Sequence, residues 1–329
     1  MNLLVTGGAG YIGSVVVECA LDHGHHVTVL DNLQEGHAGA VSAPAVLVRG
    51  DCGDAALLDR VLGSRHFDAV IHLAAETTVD RSVTDPAIYF KNNSVNGLTL
   101  LDAMRRHRVE RMVFSSTAAT YGEPEEVPMT EDHPQRPINA YGESKLIFER
   151  CLRWYHRAYG LRSVSFRYFN AAGATAGHGE AHRHESHLIP RLLEAAAGSG
   201  EVVDIFGTDY PTLDGTCVRD FVHVADIAQA HVLALDGIDA VGIAFFNIGS
   251  GTGHTVRQVL DAVQAVTGCT VPVRAAARRP GDPAVLVASS DRIRRELGWR
   301  PALPGLMSIV DSAWRWKVAH PDGYGDDGA

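Results

Sequence analysis

At 329 residues, 46% hydrophobic and 21% charged, the chain has a globular composition that excludes disordered, collagen-like and coiled-coil classes. At ~100–200 residues per domain it amounts to one large domain or two smaller ones. Its 29 Lys+Arg against 39 Asp+Glu leave a net charge of −10, which argues against nonspecific nucleic-acid binding and against attraction to an anionic membrane surface. No apolar run approaches the ~18 residues of a membrane span, and no leader-like segment opens the chain. The five cysteines are scattered without a Cys-x-x-Cys pair, so neither a disulfide framework nor a zinc site is suggested, and a reduced, cytoplasmic protein is expected.

In chain order, short β-rich runs at 3–6, 26–30, 45–49, 69–73, 112–115 and 163–167 alternate with amphipathic helical stretches at 14–23, 95–106 and 140–159. This pattern predicts a parallel sheet covered by helices on both faces. Beyond residue 170 the alternation weakens into a Gly- and His-rich loop, a helix near 188–197, a strand at 202–206 and an irregular stretch at 208–216. Further short elements follow near 223–235, 244–248, 256–266 and 305–318. The expected architecture is α/β: a doubly wound, Rossmann-type parallel sheet over 1–170, then a smaller α/β substrate lobe over 171–329, some of whose segments return to the sheet. The Gly- and Asp-rich tail from Pro321 is expected to fray.

Thr6-Gly7-Gly8-Ala9-Gly10-Tyr11-Ile12-Gly13 follows the first strand and opens the first helix. Gly7, Gly10 and Gly13 permit the tight turn, bring backbone N–H groups up to a pyrophosphate and let helix and strand pack closely. The second strand ends at Asp31, near the spacing of about 20 residues at which a carboxylate accepts bonds from ribose hydroxyls, which favours NAD over NADP. Asp51, after the third strand, either reaches the adenine edge or caps its loop.

Tyr141-Gly-Glu-Ser-Lys145 sets a phenol and an ammonium four residues apart, on one helix face. A Tyr pKa of about 10 makes a poor base at neutral pH, and a neighbouring cation favours the phenolate. The segment Phe114-Ser-Ser-Thr117 ends a strand in hydroxyls at the carboxyl edge of the sheet, where open α/β sheets bind ligands. The result is a Ser/Thr–Tyr–Lys constellation on a dinucleotide fold.

Six blocks in order extend this pattern. They are Ser115-Ser-Thr-Ala-Ala-Thr-Tyr-Gly-Glu-Pro124, Pro137-Ile-Asn-Ala-Tyr-Gly-Glu-Ser-Lys145, Arg167-Tyr-Phe-Asn-Ala-Ala-Gly-Ala174, Phe206-Gly-Thr-Asp-Tyr-Pro-Thr212, Gly215-Thr-Cys-Val-Arg-Asp-Phe-Val-His-Val224 and Arg278-Arg-Pro-Gly-Asp-Pro283. With them the chain resembles the extended short-chain dehydrogenase/reductase family from residue 3 to about 324, and within it the branch that epimerises UDP-glucose at C4. The resemblance implies Tyr141 as catalytic base and acid, Lys145 as its electrostatic partner and NAD-ribose ligand, and Thr117 as the hydroxyl on the sugar O4. It implies an NAD site lined by Tyr11, Ile12, Asp31, Asn32, Asp51, Cys52, Leu73, Ala74, Ala75, Thr77, Asn93 and Phe169. It assigns Asn170, His187, Leu188, Phe206, Arg219, Arg279, Asp282 and Leu286 to the UDP-sugar. Paired guanidiniums suit a diphosphate in an acidic protein. The implied reaction takes UDP-glucose or UDP-galactose through a 4-keto sugar that turns about its UDP anchor, and the implied assembly is a homodimer paired through helices near 93–107 and 140–159.

Two positions depart from that branch. Thr77 stands where some members carry a Lys that contacts NAD, and Val79-Asp-Arg-Ser resembles related 4,6-dehydratases. Those dehydratases need an Asp-Glu pair after the active-site Thr, however, and Ala118-Ala119 cannot transfer a proton. Leu286 stands where some members have a Tyr that narrows the sugar pocket, which leaves room for a 2-acetamido group and turnover of UDP-N-acetylhexosamines. A UDP-pentose 4-epimerase and a catalytically silent nucleotide-sugar sensor are the alternative functions. The run Gly177-His-Gly-Glu-Ala-His-Arg-His184-Glu-Ser-His187 invites a metal reading. Its spacing places no clear ligand set on one helix face, so it is read as a solvated or substrate-covering loop and no metal is expected.

Overall fold

A computed structural model describes residues 1–183, 185–279 and 282–325. The first half runs β1 (Asn2–Thr6), α1 (Tyr11–Asp22), β2 (His26–Asp31), β3 (Val46–Arg49), α2 (Ala55–Ser64), β4 (Ala69–His72), α3 (Val79–Thr84), α4 (Pro86–Tyr89) and α5 (Asn96–Arg106). It continues through β5 (Arg111–Thr117), α6 (Ala140–Tyr159), β6 (Arg162–Tyr168) and β7 (Asn170–Ala172). Then come α7 (Leu188–Ala196), β8 (Val203–Phe206), β9 (Val218–His223), α8 (Val224–Val241), β10 (Ile243–Ile248), β11 (Gly253–Thr255) and α9 (Val256–Thr267). The last described elements are β12 (Val273–Ala276), β13 (Val285–Leu286), α10 (Asp291–Glu296) and α11 (Leu306–Ala319).

The main sheet has the order β10-β6-β5-β4-β1-β2-β3, and every pairing in it is parallel. Strands such as β1 and β4 are buried on both faces, which is why they read as continuous apolar runs without alternation. Val15 and Val16 of α1 pack with Ile227, Ala228 and Leu235 of α8 on one face. Leu58 and Leu62 of α2, Leu100 and Met104 of α5, and Phe148 and Leu152 of α6 cover the other. The strand order reverses about β1, and the crevice at the carboxyl ends of β1 and β4 is where such sheets take ligands. β10 is the late segment that returns to this sheet. A further apolar cluster gathers Ile189 and Leu192 of α7, Val259 and Val263 of α9, and Ile309 and Val310 of α11, beside the small sheet β11-β9-β13.

Several boundaries differ from expectation for local reasons. α1 begins at Tyr11, directly after its Gly10 N-cap, so the glycine turn feeds the helix with no intervening linker. β5 runs on to Thr117, which pairs with Tyr168, because parallel pairing with β6 extends the strand beyond its apolar run. α2, absent from the predicted elements, is capped by Asp54, whose side chain accepts from Leu57 N at 3.0 Å. The expected fraying does not reach Tyr324, whose hydroxyl lies 3.1 Å from both the N–H and the carbonyl of Gly179; residues 326–329 lie outside the described residues. Among the described residues no helix is long and apolar enough to cross a membrane.

α6 starts at Asn139, whose side chain accepts from Gly142 N at 2.8 Å, and ends at Gly160 with φ 73°. Its orientation is set by a buried ion pair. Arg167 of β6 donates from Nε to Glu149 Oε1 at 3.0 Å and from Nη2 to Oε2 at 2.7 Å, with both side chains 1% exposed. Ser116 Oγ and Gln135 Nε2 complete the carboxylate shell at 2.6 and 3.1 Å. Glu149→Ala strands the guanidinium without its counter-charge, and a loss of roughly 3–5 kcal/mol is expected. Urea unfolding followed by circular dichroism measures it; an unchanged midpoint would remove this pair from the determinants of the fold.

Candidate active site

The glycine turn lies where a dinucleotide fold needs backbone and no side chains. Gly7 sits at φ 74°, and a Cβ on it would lie 2.4 Å from Ala74 N; one on Gly13 would lie 2.0 Å from Gly7 O. The Cα of Gly10 has only Gly7 O, at 3.5 Å from an added Cβ, near it, so this side stays open for a pyrophosphate to approach the amides. At the end of β2, Asp31 Oδ2 accepts from Ala9 N at 3.0 Å and Oδ1 from Leu33 N at 2.9 Å. Each carboxylate oxygen retains a lone pair for a ribose hydroxyl. Asp51 caps its loop through Gly53 N at 2.6 Å and holds Asn96 Nδ2 at 3.1 Å, and it also borders the cleft.

One cleft, with a cavity of about 620 Å³, runs from this turn across the strand ends to β9 and β13. Its walls include Gly7, Gly10, Tyr11, Ile12, Gly13, Asp31, Asn32, Asp51, Cys52, Leu73, Ala74, Ala75, Thr77 and Phe169 at the nucleotide end. Thr117 and Tyr141 stand in the middle, and Asn170, His187, Leu188, Phe206, Arg219, Arg279, Asp282 and Leu286 line the far end. Two expected residues lie behind the wall. Asn93, 1% exposed, accepts from Glu76 N at 2.8 Å and donates to Glu76 O and Ser144 Oγ, each at 3.0 Å. It positions the 74–77 segment against α6, where the sequence reading had it lining the cofactor site. Lys145, 2% exposed, donates to Ser115 O at 2.8 Å from beneath the cleft floor.

The electrostatics of the Tyr–Lys pair also depart from the sequence reading. Burial pushes the Tyr141 phenol above its ordinary value, against a smaller lowering by the Thr117 side chain. Burial likewise pulls the Lys145 ammonium down to about 7. Desolvation disfavours the charged form of each group, and in the protein by itself it leaves the phenol above its ordinary value. Ala118 and Ala119 follow Thr117 in a single helical turn on the cleft wall, so no second proton-transfer side chain stands beside it.

At the far end Arg219 of β9 bonds Asp282 through Nη2 and its own neighbour's carbonyl, Val218 O, through Nη1 at 2.8 Å. The Arg279 guanidinium stacks 4.1 Å over Phe206, whereas Arg278 turns out to Asp209 and Tyr210; Pro280 and Gly281 of that block lie outside the described residues. Asn170 spends its amide on Asp220 O at 3.0 Å. Leu286 pairs in register with Arg219 across β13 and β9 and packs with Phe169 against the cluster of Ala118, Tyr121 and Met129. Sequence reasoning missed Arg191, which borders the cleft one helical turn beyond His187. The i, i+4 spacing of those two residues was the available signal.

A family model described as the NAD dependent epimerase/dehydratase family matches residues 3–249. The UDP-glucose 4-epimerase of Corynebacterium glutamicum is 49% identical over 98% of this chain and 97% of its own length. Among solved structures, a UDP-glucose 4-epimerase superposes with a TM-score of 0.96 at 45% identity, covering 98% of this chain and 99% of the other. The UDP-glucose 4-epimerase from Bifidobacterium longum, in complex with NAD+ and UDP, does so with a TM-score of 0.94 at 36% identity, over 98% and 100% of the two chains. With the family model matched over three quarters of its length and relatives of this identity covered almost end to end, this chain belongs to the NAD dependent epimerase/dehydratase family.

Proposed function

We infer that this chain interconverts UDP-glucose and UDP-galactose by NAD-dependent epimerisation at C4. The observation that carries the reading is a single cleft bordered by the glycine turn and Asp31 at one end, Thr117 and Tyr141 in the middle, and Arg219 and Arg279 at the other. Residues 1–170 carry the cofactor, and 171–329 mainly carry the sugar nucleotide. NAD supplies the hydride acceptor and donor, and the positive charge of its oxidised ring favours the Tyr141 phenolate.

The remaining work belongs to side chains of this chain. Tyr141 Oη takes the proton from the sugar 4-hydroxyl and later returns it, and Thr117 Oγ1 holds the same oxygen. Lys145 adds positive charge beneath the pair. Arg219 and Arg279 hold the diphosphate by charge-assisted bonds while the 4-keto hexose turns to present its other face. The wall around the cleft excludes water from that intermediate. Leu286 leaves space at the sugar that a Tyr would fill, so UDP-N-acetylhexosamines are also substrates. The intact Thr117–Tyr141–Lys145 set favours an enzyme over a nucleotide-sugar sensor.

Cys19, Cys52, Cys151, Cys217 and Cys269 are free thiols, which supports a reducing, cytoplasmic setting. A homodimer formed through α5 and α6 is supported by the outward Trp154 and Tyr159, 65% and 57% exposed. A paired helix face would cover them.

Tyr141→Phe should lower UDP-galactose turnover by about 10²–10⁴-fold while the purified variant keeps its nucleotides; an inactive wild type that still holds NAD and UDP-sugar would favour the sensor. Leu286→Tyr should depress turnover of UDP-N-acetylgalactosamine far more than that of UDP-galactose in side-by-side assays, and equal effects would dismiss Leu286 as the determinant. Light scattering should return twice the chain mass, whereas a monomeric mass would refute the paired helices.

A further inference from the structure

The loop read from sequence as a solvated substrate cover is braced from within. Glu180, His182, Glu185 and His187 each turn one donor atom to a common point, and these four atoms lie within 4.8 Å of one another. Nδ1 of His182 and Nδ1 of His187 both stand 3.0 Å from the same Glu180 oxygen. From Glu185, His187 Nδ1 is 2.8 Å and His182 Nδ1 3.7 Å away. Four ligands placed tetrahedrally about an ion at ~2.0–2.1 Å stand about 3.3 Å apart, and the observed separations straddle that value.

Hydrogen bonding alone does not account for the arrangement. The buried Nδ1 of His182 lacks an aligned hydrogen-bond partner, although a carboxylate oxygen lies 3.0 Å from it. The two carboxylates are only 9% and 10% exposed, and a buried charge is stable when paired or when it coordinates a metal. The spacing i, i+2, i+5, i+7 follows neither helix nor strand period. The Glu185–His187 turn, in which Glu185 Oε1 accepts from His187 N at 2.6 Å, is what sets its two ligands side by side.

We propose that Glu180, His182, Glu185 and His187 form a four-coordinate site for a divalent ion of the zinc type. Two imidazoles select against magnesium and calcium, which prefer oxygen shells. With four protein ligands no position is left for substrate, so the site is structural rather than catalytic. Its place in the fold assigns its role. His182 meets the Tyr11 ring edge-on at 6.3 Å, the Tyr11 hydroxyl donates to Gly173 O at 2.6 Å, and His37 Nε2 is 2.7 Å from Ala181 O. α7 begins at Leu188, immediately after the last ligand. The ion ties the glycine-turn end of the cleft to the helix that borders the sugar end. His184 of the same run lies outside the described residues.

The test uses the full chain purified without a metal-binding tag. Elemental analysis should find about one zinc per chain. Protein stripped with a chelator should bind one Co²⁺ with the strong visible absorption of a tetrahedral nitrogen–oxygen shell and should melt at higher temperature once loaded. His182→Asn and, separately, Glu185→Gln should weaken Co²⁺ binding by roughly 100-fold or more with the far-ultraviolet circular dichroism unchanged; the wild-type spectrum stands alone if either variant misfolds. Substoichiometric zinc with no Co²⁺ uptake, a weak octahedral spectrum, or thiolate charge-transfer bands would each overturn the proposal. Because the readout is metal content and coordination, its failure leaves the epimerase reading untouched.

Discussion

A guanidinium and a carboxylate buried between β6 and α6 hold the helix that carries Tyr141 and Lys145 in register with the sheet. Glu149 lies one turn beyond Lys145 and two beyond Tyr141 on α6, so these three polar side chains form one stripe facing β5. Lys145 bonds Ser115 O and Glu149 bonds Ser116 Oγ, which anchors the stripe at two successive residues of the strand that ends in Thr117. Arg167 then carries the constraint outward. Its Nη1 donates to the Tyr121 hydroxyl at 2.8 Å, and that hydroxyl donates to Asn247 Oδ1 of β10 at 2.6 Å. Asn247 in turn donates to Met129 O at 2.9 Å, fixing the segment that closes behind Leu286. A buried ion pair of this kind is weak as a source of net stability, because desolvation offsets its attraction. Here it selects one orientation of α6 against the sheet, and with it the Thr117–Tyr141 geometry.

The same stripe explains why the site is electrostatically uncomfortable. An ammonium pulled down to about 7 by burial sits in the core, its hydrogen bond going to the neutral carbonyl of Ser115. Burial raises the phenol above it. Desolvation thus keeps the phenol protonated and loosens the ammonium's hold on its proton. The acidic balance of the chain as a whole has little bearing on this. Under the proposed function, backbone amides at one end of the cleft and the Arg219 and Arg279 guanidiniums at the other would meet the anionic ligands locally, whatever the sign of the overall charge.

Much of this was legible in the sequence, where the information is local. The glycine spacing, the acidic residue ending β2 and the Tyr-x-x-x-Lys step on a helix each depend on a few adjacent residues and on the periods of helix and strand. The parallel sheet followed from apolar runs that burial on both faces requires. α2 escaped notice although its Asp54 cap and apolar spacing were present, and β5 was cut short because its last residues, Ser-Ser-Thr, are polar and are held by pairing with β6.

Tertiary structure decided what depends on burial and on convergence of distant segments. Periodicity places Lys145 on the Tyr141 face, but only the packed core shows it beneath the floor with its proton affinity lowered. The resemblance singles out Arg279 over Arg278, and the fold adds the contacts: Arg279 stacks on Phe206, whereas Arg278 bonds Asp209. Asn93 reads as a cofactor contact until its amide is found bridging Glu76 and Ser144. Glu180, His182, Glu185 and His187 share no period, so only the folded loop turns them to one point. By itself the sequence determined the chemistry carried by each short segment. The fold determined which segments meet and how much water they lose on meeting, because desolvation and distance are properties of the packed molecule.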